Sequence, residues 1–335
     1  MQRFLRLIPL VALLGLAVLA ACSDDNGGGQ DTGAAEDVIR LRAGLNDPQN
    51  PTIAVLEYLP ESVTVARGTT VEWQMAGPEP HSVTFLGTGQ TLPPPGSDPA
   101  LFAPSETDGV FRPGQFVNSG LAPLGPEPAT FRLTFNEAGT YTYYCVIHPL
   151  MTGTVTVVDD TGSADTQDAV DRRAAEEEAR WLEDGRAARR RLTEAGVTRE
   201  TAADGSTTWT VEMGTTTEHT DVLAFAPEAL DVRVGDRVVF LNNSGAPHTA
   251  TFPAGGQVPL PGSPEEGQVV PGPSPQRLVN ATYYSTGLLP PDAPPGGGPP
   301  AAARSFTFVA AEAGRFPYVC ILHVPSGMAG AITVQ

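Results

Sequence analysis

The 335-residue sequence lacks lysine and contains few cysteines and histidines. It has no lysine, so arginine supplies all 20 basic residues, against 38 Asp and Glu. The formal net charge of −18 argues against electrostatic binding of nucleic acid or of an anionic membrane surface. It favours a partner with a basic face, although the same charge would also serve solubility alone. Only 3 cysteines and 5 histidines are present, so their positions carry unusual weight.

Long apolar runs are equally scarce, and the one at the N-terminus is typical of a signal sequence. Arg3 and Arg6 precede an apolar stretch over 7–20, which is short for a membrane span and ends in "LAAC" at Cys22. This ending resembles the lipobox of bacterial lipoproteins, in which the cysteine becomes the lipidated first residue. We therefore expect a signal peptide over 1–21, lipidation of Cys22 and a flexible, Gly-rich tether over 22–37. An ordinary secretory signal cut near Ala21 is the alternative.

The remainder of the chain contains an internal repeat. "ESVTVARGTTVEWQMAGPEPHSVTF" (61–85) aligns without a gap on "EALDVRVGDRVVFLNNSGAPHTATF" (228–252). Further on, "TFRLTFNEAGTYTYYCVIHPLM" (130–151) aligns on "SFTFVAAEAGRFPYVCILHVPSGM" (305–328). Apolar and polar residues alternate in both copies, and glycines separate the alternating runs, which predicts short strands. We expect an all-β chain of two Greek-key β-sandwiches, at 38–158 and 206–335.

The segment between the copies, 159–205, carries the helical signal of the chain. Apolar residues recur every seven positions around Trp181, Asp165 or Thr166 could cap the start, and Gly196 could cap the end. We expect a helical linker that packs on a domain surface.

Two Pro- and Gly-rich stretches, 87–128 and 253–303, interrupt the strands. Loops of this length are unusual in compact domains. The sequence leaves open whether they are mobile or fold over the surface near the first histidine of each copy.

Cysteine, histidine and methionine recur with the same order in both copies. A thiolate and neutral imidazoles are good copper ligands, and two His with one Cys and a weak axial Met is the ligand pattern of an electron-transfer copper site. A Cys and a His on one tight loop can meet a second His that a distant strand brings alongside. The predicted metal ligands are His81, Cys145, His148 and Met151 in the first copy, and His248, Cys320, His323 and Met328 in the second.

Both copies resemble cupredoxins, the blue copper domains of the plastocyanin and amicyanin type, on the aligned segments that contain "PHSVTF" with "YYCVIHPLM" and "PHTATF" with "YVCILHVPSGM". The resemblance implies two copper ions, one per domain, held by the two ligand sets. It implies that Ser82 and Thr249 tie the two ligand-bearing segments of each copy together, and the alternative is that both are ordinary strand residues. It also implies that His148 with Pro149 and Leu150, and His323 with Val324 and Pro325, form exposed apolar ports for redox partners.

The function that follows is a two-site type 1 (blue) copper protein, which shuttles single electrons between protein partners at the outer face of the cell membrane, in the periplasm or outside. The lipid anchor would be its membrane contact, and donor and acceptor stay unidentified. The alternatives are an extracytoplasmic copper carrier or storage protein, and a non-redox structural module with inherited cupredoxin domains. An enzyme of the multicopper oxidase class is not expected. Such enzymes need His-x-His pairs, which the sequence lacks, and a histidine beside the cysteine, where Tyr144 and Val146 stand.

Other interpretations of single residues remain. Cys145 and Cys320 could form a disulfide, although they occupy the same place in two copies. Met151 and Met328 could be core residues without a ligand role. His219 has no counterpart in the first copy, and we expect it to be an exposed strand residue.

Overall fold

The computed structural model describes residues 37–335, apart from 76, 95–96, 124–127, 149, 254–257, 259–273, 281 and 293–300. The predicted signal peptide, the tether, Cys22 and Pro149 lie outside the described residues. Within the described ranges, no helix is both long and apolar enough to cross a membrane.

The described chain is mostly β-sheet with one α-helix between two β-rich halves, which confirms the predicted fold class. The strands of the first half are β1 (Val38–Asp47), β2 (Asn50–Leu59), β3 (Ser62–Ala66), β4 (Thr69–Met75), β5 (Thr84–Phe85), β6 (Val110–Phe111), β7 (Val117–Asn118), β8 (Ala129–Phe135), β9 (Gly139–Tyr144) and β10 (Thr152–Val158). The helix is α1 (Gln167–Glu194). The strands of the second half are β11 (Arg199–Thr201), β12 (Thr207–Thr216), β13 (Thr220–Ala226), β14 (Ala229–Val232), β15 (Arg237–Leu241), β16 (Thr251–Phe252), β17 (Gln276–Leu278), β18 (Tyr284–Ser285), β19 (Ser305–Ala310), β20 (Gly314–Val319) and β21 (Ala329–Val334).

The two halves have the same strand order. In the first sandwich (β1–β10), strands β2-β1-β4-β8-β6 form one layer and β3-β10-β9-β5-β7 the other. In the second sandwich (β11–β21), the corresponding layers are β13-β12-β15-β19-β17 and β14-β21-β20-β16-β18, with β11 paired on β12. Inward-facing residues of both layers, such as Val65 and Trp73, form a buried core in each sandwich. The alternation of apolar residues therefore selects the buried face of each strand.

The sandwiches share one continuous sheet. Strand β2 of the first pairs antiparallel with β13 of the second, with Ile53 opposite Val222 and Val55 opposite Thr220. The layer that each sandwich contributes thereby becomes part of an 11-stranded sheet. The sandwiches are joined by direct backbone pairing as well as by the helix.

Helix α1 packs across this pairing. The Thr166 side chain accepts a hydrogen bond from the Ala169 N–H at the start of the helix, and Gly196 follows its end with φ of 72°, so both predicted caps are confirmed. Trp181 is fully buried against the β2 side, and Ala188 packs against β13. The helix thus covers the strands that join the two sandwiches.

The described parts of the two long loops fold back onto the sandwiches, and each also pairs with the backbone of the first histidine of its copy. Strands β6 and β7 come from the first loop, and β17 and β18 from the second. The Ala122 and His81 backbones exchange two hydrogen bonds of 2.9 and 2.8 Å, and those of Leu289 and His248 exchange two of 2.8 and 3.2 Å. Of the two interpretations left open, folding over the surface is therefore correct for these parts.

Candidate metal centres

Each remote histidine sits just before a short strand and faces a β-bulge. His81 precedes β5 and lies against Gly44, where the register of β1 on β2 shifts. A Cβ at Gly44 would lie 1.9 Å from His81 Nε2, and the φ of 70° is also unfavourable for other residues. Gly214 occupies the same place beside His248, with φ of 83°. These glycines were missed by the sequence analysis, because the alignment of the copies began after the first two strands.

The cysteine and the second histidine of each set lie on the loop between the last two strands of the sandwich. The Cys145 N–H donates to the Met151 carbonyl (3.1 Å), and the Met151 N–H donates to the His148 carbonyl (3.0 Å). Cys320, Met328 and His323 repeat this pattern at 3.0 and 3.1 Å. Two backbone bonds thus close each loop even though the second contains two more residues before its methionine.

The first ligand set brings three donor atoms together. His148 Nδ1 lies 3.4 Å from Cys145 Sγ and 3.2 Å from His81 Nδ1. Cys145 and His81 are buried, and His148 is partly exposed.

The second ligand set has the same arrangement and is more deeply buried. His323 Nδ1 lies 3.3 Å from Cys320 Sγ and 3.1 Å from His248 Nδ1, and Cys320 Sγ lies 3.7 Å from His248 Nδ1. Ser244 Oγ lies 2.7 Å from His248 Nε2, so this nitrogen can donate its proton and leave Nδ1 with a free lone pair.

The residues after the remote histidines contact the cysteine loops. The Ser82 hydroxyl accepts a 2.9 Å hydrogen bond from the Val146 N–H. The Thr249 hydroxyl accepts a 3.0 Å bond from the Ile321 N–H, and the Thr249 N–H points at Cys320 Sγ from 3.4 Å. Each hydroxyl therefore bridges the two segments that carry the ligands of its set.

Burial sets the protonation of the ligand side chains. It lowers the pKa of His81 to about 3 and that of His248 to about 4, so both imidazoles are neutral at neutral pH and keep a lone pair for a metal. Burial also raises the pKa of the Cys145 thiol. At Cys320 burial acts in the same direction, but His323 and the Thr249 N–H outweigh it and hold the thiol pKa below its ordinary value.

Met151 and Met328 are buried in the apolar clusters that contain Cys145 and Cys320, respectively. This position is compatible with both the axial-ligand and the core interpretation, so the ligand role of the methionines stays a prediction. The two cysteines are free and lie in separate clusters, which leaves the disulfide alternative without support.

The expected pair of exposed ports is wrong for the second set. Leu150 and Val324 are indeed exposed, at 59% and 38%, but His323 is only 7% exposed. Its ring is covered by the first sandwich, where Glu79 Oε2 lies 3.7 Å from His323 Nε2. An alignment of the two copies could not reveal this cover, because it comes from the other copy.

His219 also differs from expectation. It lies in the turn between β12 and β13, where its ring packs on Trp181 of the helix with centroids 4.8 Å apart. Its Nδ1 lies 3.1 Å from Oε1 of Glu57, a buried residue of the first sandwich. The residue joins the two sandwiches and the helix instead of lying exposed on a strand.

The chemistry of the donor sets fits a copper ion. Donor atoms that share one ion through bonds of roughly 2.0 to 2.3 Å must lie within about 4.6 Å of one another. The two imidazole nitrogens and the thiol sulfur of each set lie within 4.8 Å of one another, close to this limit. Burial keeps the remote imidazoles neutral, so each has a lone pair for a metal. Soft thiolate with imidazole is the donor combination suited to copper.

Comparison with known proteins points to the same chemistry for the first sandwich. Residues 49–158 match the family model described as copper binding proteins of the plastocyanin/azurin family. Amicyanin from Paracoccus versutus is 33% identical over 105 residues, which are 31% of this chain and 61% of that protein. Plastocyanin from Rumex obtusifolius is 29% identical over 121 residues, or 36% of this chain and 99% of that protein. The chain thus spans less than two thirds of the amicyanin length.

Solved structures give similar coverage. A copper(I) form of an amicyanin variant aligns with 36% of this chain and 82% of its own, at 22% identity and a TM-score of 0.24. A purple cupredoxin from Nitrosopumilus maritimus aligns with 36% of this chain and 99% of its own, at 22% identity and a TM-score of 0.22.

A β-sandwich with two histidines and a cysteine converging at one end defines a metal-binding domain of the copper-protein type. Residues 49–158 form a cupredoxin domain related to the plastocyanin/azurin family.

Proposed function

We propose that this chain is a two-site blue copper protein that carries single electrons between protein partners. The observation that carries the proposal is the repetition of the donor set: in both sandwiches two Nδ1 atoms and one Sγ lie within 3.7 Å of a neighbouring donor. The first set belongs to the cupredoxin domain. The second repeats its residues, its strand order and its loop closure, so we infer a second cupredoxin domain with its own copper.

Copper in such a site would supply a one-electron couple between its cuprous and cupric states. His81, Cys145 and His148 would hold it in the first sandwich, and His248, Cys320 and His323 in the second, with Met151 and Met328 as the fourth residue of each set. The protein holds these side chains next to strands and on closed loops and buries most of them, which would keep the ligand positions similar in both oxidation states. That property suits a carrier better than a catalyst, and we propose no enzymatic activity.

The site of action follows from the N-terminal sequence. A lipid on Cys22 would tether the chain to the cell membrane and leave the copper domains outside the cytoplasm. The apolar Leu150 beside partly exposed His148 suits brief contact with a redox partner. The net charge of −18 favours a partner with a basic docking face.

The experiment is to add cupric ion to the purified protein and record its visible spectrum. We expect an intense thiolate-to-copper charge-transfer band. Cys145→Ala and Cys320→Ala should each remove about half of the intensity, because the two sites are expected to be independent to first order, and the double variant should show none.

The alternatives predict different spectra. A copper carrier or storage protein would bind copper tightly without a reversible thiolate band, and a structural module would bind none. The deep burial of Cys145 and Cys320, each 0% exposed, disfavours a site that must hand its metal to another protein.

A further inference from the structure

The two ligand sets differ in what lies behind the loop histidine. His148 of the first set is partly exposed, whereas His323 of the second set is buried. The His323 ring presents Nδ1 to Cys320 Sγ and His248 Nδ1, and its Nε2 points the other way. The surroundings of Nε2 therefore decide which nitrogen carries the proton in the neutral ring.

Those surroundings belong to the first sandwich. Glu79 Oε2 lies 3.7 Å from His323 Nε2, slightly beyond hydrogen-bond distance. The other carboxylate oxygen, Oε1, accepts a hydrogen bond from the Ser326 hydroxyl, which is on the same loop as His323. Asn46 of β1 in turn donates to Ser326 Oγ at 3.3 Å. Glu79 lies two residues before His81 in the sequence. Its side chain therefore links the first ligand set to the loop of the second.

The contact matters energetically because Glu79 and Ser326 are both buried. Glu79 is 5% exposed and Ser326 is 1% exposed. A buried carboxylate is stable only with hydrogen-bond donors around it. The Ser326 hydroxyl donates to one of its oxygens, and His323 Nε2 lies 3.7 Å from the other. Of the two neutral tautomers of an imidazole, an acceptor oxygen near Nε2 favours the one that carries its proton there.

Without that acceptor, the His323 ring could carry its proton on Nδ1 instead of Nε2. A proton on Nδ1 could be donated to His248 Nδ1, 3.1 Å away, or to Cys320 Sγ, 3.3 Å away. Either bond would consume the lone pair that a metal needs. The carboxylate therefore selects between a tautomer that can bind a metal and one that cannot.

We propose that Glu79 of the first sandwich is a positioning residue for the second ligand set, where it holds His323 as the Nε2–H tautomer with Nδ1 facing Cys320. The assignment of the tautomer concerns the metal-free protein. Its consequence for copper rests on the proposed function. The second set is then complete only when the first sandwich is in place.

The first test uses the metal-free full chain in detergent, with isotopically labelled histidine ring nitrogens and NMR. His323 is assigned by the resonance missing from His323→Gln. In the wild type, we expect proton attachment at Nε2 alone. Glu79→Ala should give a mixture of tautomers, and Glu79→Gln, which keeps an acceptor oxygen, should restore the Nε2–H form. A single Nε2–H tautomer in Glu79→Ala would overturn the proposal.

The second test measures copper(I) affinity by competition with a chelator, in a Cys145→Ala background so that only the second set contributes. Glu79→Ala should weaken binding about 10- to 100-fold, the usual effect of removing a partner of a metal-bound histidine. The matched control is Glu57→Ala. Glu57 is also a buried glutamate of the first sandwich and contacts His219, a histidine of the second that is not in a ligand set.

We expect Glu57→Ala to leave the copper affinity of the second set unchanged. Equal losses in both variants would mean general loosening between the sandwiches and would overturn the positioning role. The two proposals fail separately. A wild-type chain without a thiolate band contradicts the copper function and leaves the NMR result to decide on Glu79. A normal thiolate band with unchanged copper affinity in Glu79→Ala contradicts only the role of Glu79 and leaves the copper function standing.

Discussion

At the scale of single residues, a hydroxyl ties each remote histidine segment to its cysteine loop. Ser82 and Thr249 follow the histidines directly, and each accepts a hydrogen bond from the backbone N–H after the cysteine. Both hydroxyls are fully buried. The loss of such an acceptor leaves a buried N–H without its partner, which costs more than the hydrogen bond itself contributed.

This contact gives a first prediction. Thr249→Val keeps the volume of the side chain but removes the acceptor of the Ile321 N–H, so we expect it to lower the free energy of unfolding by about 1–3 kcal/mol. Thr249→Ser keeps the hydroxyl and loses one methyl group, and should be the milder change. Urea unfolding of the metal-free protein measures both. A Val variant more stable than the Ser variant would show that packing, and not the hydrogen bond, dominates at this position.

A second prediction concerns Glu57. Burial raises its pKa to about 9, and the nearby Glu61, Glu218 and Glu177 act in the same direction. The folded protein therefore holds a proton that the unfolded chain releases above its ordinary pKa of 4.5. Folding takes up a proton between these values, so the contribution of Glu57 to stability falls as the pH rises from about 4.5 to about 9.

Glu57→Gln should remove this dependence. We expect its melting temperature to approach or exceed that of the wild type as the pH is raised from about 5 to about 9. Glu176→Gln, at an exposed position of the helix, is the control and should follow the wild type at every pH. A constant difference between Glu57→Gln and the wild type over this range would contradict the assignment of a protonated Glu57.

The residues of each predicted ligand set could be chosen from the sequence because their spacing repeats in both copies, and their role as metal ligands stays a prediction. Cys145, His148 and Met151 lie on one loop, and the repeat locates His81 and its counterparts. The surroundings of the ligands could not be recognised in the same way. Gly44 approaches His81 through a bulge in a strand that the alignment did not include, and Glu79 meets His323 only because the sandwiches pack together.

At the scale of elements, the helix and the strands that it covers form one unit. Gly185 lies in the middle of α1, where a Cβ would be 2.5 Å from Ile53 Cγ2 of β2 and 3.2 Å from Thr220 Oγ1 of β13. Glycine is therefore required for the close approach of the helix to both sandwiches. Arg186 follows it and forms an ion pair with buried Asp47 at 2.7 Å.

The third prediction follows from this approach. In an exposed helix, Gly→Ala stabilises by about 1 kcal/mol. Gly185→Ala should instead destabilise by about 1–3 kcal/mol, because the new methyl group overpacks the contact with Ile53. Asp184→Ala, at the exposed neighbouring position, should change stability little. Denaturant unfolding compares them, and a stabilised Gly185→Ala would mean that the helix does not approach the sheet this closely.

The individual elements were predictable, but the way they are joined was not. Alternation of apolar residues gives the strands, and the spacing around Trp181 gives the helix with both of its caps. The sequence pattern does not predict the pairing of β2 with β13, because residues such as Val55 and Val222 would be apolar in any buried strand. His219 was misjudged for the same reason, since its partners Glu57 and Trp181 come from other elements.

At the scale of the whole molecule, the two predicted ligand sets lie in sandwiches that share one continuous sheet. The sequence predicts that a lipid on Cys22 anchors the chain to a membrane. Cys22 lies outside the described residues. The sandwiches share a sheet, and helix α1 packs on strands of both. Such a chain would present both sites to partners as one unit.

The lipid anchor gives the fourth prediction. The wild-type chain, expressed with its own N-terminus in a bacterial host, should sediment with the membrane fraction, and Cys22→Ser should be released into the soluble fraction. Cys145→Ser is the control, because it removes a different cysteine and should stay with the membrane. Equal membrane partitioning of Cys22→Ser and the wild type would exclude lipidation as the anchor.

The measurement that tests the central claim most directly is a coulometric titration of the copper-loaded chain, followed by its visible spectrum. We expect two coppers and two electrons per chain, with the thiolate band lost on reduction and fully regained on oxidation. Copper that binds without the band, or a band that does not return after a reduction cycle, would contradict an electron-carrying function.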